Sequence, residues 1–160
     1  MADMLTLSAG LPEVALDPGG VLVLEGNPSG PVWILVEGDL TVSKGGVEFN
    51  TITHPGAVIG EVSVLLGLQH GATVVASTPV RLRVARSGAA FLGSDPVILR
   101  LVAEGLARRL NFVTTYLADL KDQYGDAPGL SMVSEVLSTL GYHGQPAATP
   151  GSARDPDPTY

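Results

Sequence analysis

The chain has 160 residues and 16.5 kDa, carries nine basic against sixteen acidic residues for a net charge of −7, and contains no cysteine. That length suits one packed domain with appendages. The charge repels polyanions such as nucleic acid, and the missing thiols exclude disulfides, thiolate metal sites and cysteine nucleophiles.

Residues 1–17 read as an N-terminal segment. No basic residue precedes an apolar run there, so it does not have the form of a signal peptide. From Val21 to Ala85 short β-branched runs are broken by turn residues. Val21–Leu24 stops at Gly26-Asn27-Pro28-Ser29-Gly30, Val32–Val36 at Glu37-Gly38-Asp39, and Leu40–Ser43 at Lys44-Gly45-Gly46. Val47–Ile52 then ends before His54-Pro55-Gly56. Ala72–Ser77 and Val80–Ala85 flank Thr78-Pro79. With aromatics at only 5%, the core must come from Val, Leu, Ile and Ala. The spacing predicts an all-β roll, sandwich or barrel, and the absence of intervening helical stretches argues against a parallel βαβ sheet. The longest apolar run, Ala57–Leu68, is interrupted by Glu61 and falls short of the ~20 residues of a membrane span.

After Arg86 the period changes. Ser87–Leu92 is one helical turn or two. Asp95 and Pro96 then suit the cap and first position of a helix over 95–122. Leu99, Ala103, Leu106, Leu110, Val113, Leu117 and Leu120 recur at alternating steps of four and three, a seam of three heptads. Such a seam either packs on its own β-domain or pairs with a second copy, with Leu106, Leu110, Val113, Leu117 and Leu120 as the dimer contacts. Residues 123–140 form a linker and a short amphipathic helix with Met132, Val133, Val136, Leu137 and Leu140 on one side. The Gly-, Pro- and Ser-rich residues 141–160 are expected to be disordered.

One stretch carries a family resemblance: Gly60-Glu61-Val62-Ser63-Val64-Leu65-Leu66-Gly67-Leu68-Gln69-His70-Gly71-Ala72-Thr73-Val74. It resembles the phosphate-binding cassette of cyclic-nucleotide-binding domains, as in catabolite activator proteins and the regulatory subunit of cyclic-AMP-dependent protein kinase. Val36-Glu37-Gly38-Asp39-Leu40, Pro55-Gly56 and Asp95-Pro96 through Leu110 resemble neighbouring family features. The resemblance spans roughly residues 15–122, and the domain is placed at 18–122. It implies a mainly β fold with helices: a double-stranded β-helix, or jelly roll, with a short cassette helix and a long C-terminal helix.

The resemblance also implies a site. Gly60, Glu61, Val62, His70, Gly71 and Ala72 would face the ligand, Glu61 accepting from a ribose hydroxyl, while Val42 and Thr114 would line the base. The family places an arginine where this chain has His70 and a hydroxyl residue where it has Gly71. Histidine supplies fewer donors than a guanidinium and is mostly neutral at pH 7. Arg81 and Arg83, alternating on a nearby strand, are candidate replacements. No cofactor is required, and a cyclic nucleotide, cyclic AMP or cyclic GMP, is the ligand the resemblance implies.

His54, His70 and His143 lack partners at metal-ligand spacing, and no nucleophile elbow or phosphate loop is present. The segment after Lys121 is too short and too poor in basic residues for a helix-turn-helix. The expectation is therefore a stand-alone cytoplasmic regulatory sensor, not an enzyme, with no DNA or membrane partner and a homodimer through its long helix. The alternative is a ligand-free module acting as a dimeric scaffold.

Overall fold

The structure, a computed structural model, describes residues 2–125 and 131–140. It divides into two units, one ending at Glu104 and one beginning at Gly105.

The first unit opens with α1, Met4–Leu7, capped by Asp3, whose carboxylate accepts from the Thr6 amide at 2.7 Å. Eight strands follow: β1 Glu13–Leu16, β2 Val21–Val23, β3 Val32–Glu37, β4 Leu40–Lys44, β5 Val47–Ile52, β6 Val58–Ile59, β7 Thr73–Ala76 and β8 Val80–Ala85. Helix α2, Glu61–Leu66, separates β6 from β7, and α3, Gly88–Leu92, follows β8. The strands form two antiparallel four-stranded sheets, β1-β8-β3-β6 and β2-β7-β4-β5. This is the expected jelly roll.

Two strands escape the sequence reading. β1 lies in residues assigned to the leading segment, yet it pairs along β8 from Glu13–Arg83 to Leu16–Val80. Val14 points to solvent, so its apolar signal is one residue deep. β6 is two residues long and pairs with β3 through Trp33–Ile59 and Ile34–Val58. It is too short to show alternation.

Between the sheets lie Val23, Leu35, Leu40, Val42, Ile59, Val74, Ala76, Val80 and Leu82, all buried. Period-two alternation explains the selection, because Trp33 and Leu35 face inward with this cluster while Val32 and Ile34 face the opposite side. There α1 packs on β3, and Val32 lies against α3. Each fully buried aliphatic contributes about 1.5–3 kcal/mol of transfer free energy.

Helix α4, Pro96–Tyr124, starts as expected: Asp95 accepts from the Val97 amide at 2.8 Å. Its buried residues are Ile98 and Val102, one turn apart. Leu99 and Ala103 are exposed, so the heptad seam is not the face by which this helix is buried. Leu110, 49% exposed, and Val113 are likewise open, while Leu106, Leu117 and Leu120 are half-buried.

The last described element of the second unit is α5, Ser131–Leu140, which occupies the predicted short helix. Residues 141–160, expected to be disordered, lie outside the described residues. Among the described residues no helix is long and apolar enough to cross a membrane.

Candidate functional site

The cassette is assembled around a glycine. Gly60 stands before α2 with φ of 90°, a left-handed conformation that L side chains rarely adopt. A β-carbon there would also come 3.0 Å from the Pro31 carbonyl oxygen and 3.3 Å from the Trp33 ring. Both the turn and the close approach therefore need glycine. Gly67, with φ of 66°, closes the helix at its other end.

Between these glycines Glu61 is 3% exposed and Ser63 is also buried. Val62, Leu65 and Leu66 point outward, as does Leu68 beyond the helix.

His70 closes the segment, with 7% of its surface exposed. Its amide donates to the Asn27 carbonyl at 2.9 Å, and its carbonyl accepts from the Gly26 amide at 2.8 Å. The imidazole lies 6.3 Å from the Trp33 ring centroid, tilted by 43°. Burial lowers its pKa below the ordinary 6.5, so the ring is neutral at pH 7, with one donor and one acceptor nitrogen.

The loop that holds His70 is itself anchored. The Glu25 amide donates to Thr73 Oγ1 at 3.0 Å, and the Glu25 carboxylate accepts from the Gly45 amide at 2.9 Å, at the tip of the β4–β5 turn. At the loop's far end the Gly88 amide donates to the Gly30 carbonyl at 2.8 Å.

Of the residues singled out from sequence, Gly60, Glu61, Val62, His70, Gly71 and Ala72 share this segment. Trp33 touches both of its ends. Gly71 is exposed and has open space where a side chain would go, whereas Ala72 packs on the inner cluster. Val42 is buried in that cluster, paired with Val74 across β4 and β7. Thr114 belongs to the second unit, where its hydroxyl donates to the Leu110 carbonyl at 2.8 Å.

Arg81 and Arg83 are used elsewhere. Arg81 pairs with Glu37 at 3.1 Å and Glu13 at 3.3 Å, and these contacts raise its pKa. Arg83 reaches Glu13 at 3.5 Å and donates to Ser8 Oγ at 3.1 Å and to the Leu5 carbonyl. These guanidinium groups fasten β1 and α1 to β8 rather than supplying the cassette.

Trp33 was missed by sequence reasoning. The signal was available, since it is the single tryptophan of the chain and lies in the strand after the Gly26–Gly30 turn. Gly26 and Asn27 read only as turn residues, and nothing local shows that their backbone meets His70.

Comparison with known proteins agrees with this architecture. Residues 13–91 match a family model described as the cyclic nucleotide-binding domain. No curated protein matches the chain. Among solved structures, the catabolite activator protein of Thermus thermophilus is 21% identical with a TM-score of 0.61, over 72% of this chain and 57% of that one. The N-terminal domain of a transcriptional regulator from Streptomyces coelicolor A3(2) is 27% identical with a TM-score of 0.50, over 67% of this chain and 81% of that one. A cAMP-binding acyltransferase from Mycobacterium smegmatis is 27% identical with a TM-score of 0.55, over 69% of this chain but 36% of the enzyme. The chain thus spans little more than half of the Thermus protein and about a third of the Mycobacterium one.

Proposed function

Because residues 13–91 are a cyclic nucleotide-binding domain, a family that is generally regulatory rather than catalytic, we propose that this protein is a regulatory module taking a nucleotide or another small anion at its cassette and signalling through α4. Gly60, Gly71 and Ala72 would present backbone amides to the anion, with the Val62 amide beside them. Glu61 would accept from a ribose hydroxyl, His70 would donate one hydrogen bond, and Val42 would flank the base. No cofactor is needed and no reaction is assigned.

The observation that carries this reading is the geometry around Trp33. A left-handed Gly60 and a buried His70 lie against the same indole, so both ends of the cassette meet at one place. A neutral imidazole replaces what would be a charge-assisted guanidinium fork in the family. Removing such a pair costs about 2–5 kcal/mol, or roughly 30- to several-thousand-fold in affinity. Binding is therefore weak by the family's standard.

Titration calorimetry with cyclic AMP and cyclic GMP tests this. The wild type should bind weakly, and His70→Arg should bind at least about 30-fold more tightly. Absence of heat and of any thermal shift in both proteins at millimolar nucleotide would remove the ligand-binding reading.

That result would leave the second reading, a ligand-free module that acts as a homodimer through α4. It is favoured by the uncovered seam, where Leu99, Leu110 and Val113 are all exposed.

A further inference from the structure

We propose that the cassette takes its anion together with a proton, the two meeting at His70, so that the site fills as pH falls. This coupling rests on the ligand-binding reading above and adds what would control it.

His70 is a buried polar side chain without a partner. It is 7% exposed, and among the described residues no group bonds to its ring nitrogens. No unpartnered side-chain nitrogen among these residues is sealed from solvent, so the ring nitrogens keep an opening. Asn27 and Gly26 hold its main chain, and the Trp33 indole stands beside the ring and also against Gly60. The imidazole is thus fixed beside the same indole as the turn that opens the cassette.

Such a ring has little reason to hold a proton by itself. Burial disfavours the charged form, and burial alone accounts for the lowered pKa. Its described neighbours supply no charge: β3 contributes Trp33, the β2–β3 loop contributes Gly26 and Asn27, and Gln69 and Gly71 flank it in sequence. Glu25, next to that loop contact, already accepts from the Gly45 amide. Glu61, at the other end of the cassette, is buried and already engaged. Arg81 and Arg83 are committed to Glu13, Glu37 and α1, and Lys44 is exposed at the end of β4.

An anion at the cassette changes this balance. A neutral imidazole offers it one donor while the other nitrogen keeps a lone pair, whereas a protonated ring offers a charge and two donors. Charge-assisted bonds are about twice as strong as neutral ones, and more so where water is excluded. The anion therefore raises the proton affinity of His70, and by reciprocity the proton raises the affinity for the anion. With the free pKa below 6.5 and the bound one raised, affinity climbs as pH falls between the two. An arginine stays charged throughout and would bind without this dependence.

Calorimetry with cyclic AMP, and separately with sulfate, tests the coupling, because neither probe changes charge near neutral pH. The wild type should bind at least about fivefold more tightly at about pH 6 than at about pH 8. Buffers of different ionisation enthalpy should reveal uptake of up to one proton per anion. His70→Arg should bind cyclic AMP with little pH dependence. Histidine proton resonances of the wild type give a reading that needs no variant: the bound probe should move the His70 titration upward. Equal affinity at both pH values, with no proton uptake and an unmoved titration, would overturn the coupling while leaving the ligand reading in place. No binding of either probe at either pH would overturn both.

Discussion

Gly88 and Gly30 meet through bare backbone. The Gly88 amide donates to the Gly30 carbonyl at 2.8 Å, and a β-carbon on Gly88 would stand 2.5 Å from that oxygen, 3.0 Å from Val32 and 3.2 Å from Val64. The contact locks α3 onto β3, the β2–β3 loop and α2 at once. Gly88→Ala should therefore destabilise the domain by about 1–3 kcal/mol through overpacking, measured by urea denaturation. Gly71→Ala, with open space around it, should change stability by less than about 0.5 kcal/mol.

His70 gives a pH dependence. Burial lowers its folded pKa below 6.5, so between the two values the unfolded chain binds more protons than the folded one. The contribution of neutral His70 is present above 6.5 and is lost as pH falls through 6.5 toward the folded pKa. Thermal stability should drop across that window in wild type, and His70→Gln should flatten this part of the profile. An unchanged profile in His70→Gln would assign the loss to other groups.

Arg83 anchors the N-terminus. It joins Glu13, Ser8 and the Leu5 carbonyl, and its own side chain is mostly buried. Arg83→Met removes these bonds and leaves part-buried acceptors unpaired, at about 1–3 kcal/mol. Limited proteolysis should then cut within the first ten residues while the rest of the roll resists.

The seam makes a prediction separate from the ligand. Leu117→Glu should place a charge in the proposed α4 pairing and convert a dimer to a monomer by light scattering. Melting of the β-roll should be little affected, because Leu117 lies in the second unit.

What was legible in the sequence followed the strength of local signals. Strands β3, β4, β5 and β8 are bounded by turn residues and long enough to alternate, and they appear where the pattern puts them. The cap at Asp95 and the short helix over Ser131–Leu140 are local chemistry and were likewise readable. β1 depends on a partner 64 or more residues away, Leu16 with Val80 being its nearest pair, and no local period announces it. The burial face of α4 was misleading for a different reason. Ile98 and Val102 are as apolar as Leu99 and Ala103, so the sequence offers two stripes and only packing selects between them. In the cassette the glycines and His70 were visible, but the indole of Trp33 arrives from another strand.

The main-chain bonds of His70 bear on how this domain is able to change. Its amide and carbonyl are both satisfied by Asn27 and Gly26, so the end of the cassette is held without help from the imidazole. The scaffold and the proposed recognition group at this position are thus separate parts of one residue. An exchange of the side chain at residue 70 leaves both of these main-chain bonds in place, so a change of the proposed recognition group need not undo the turn that carries it.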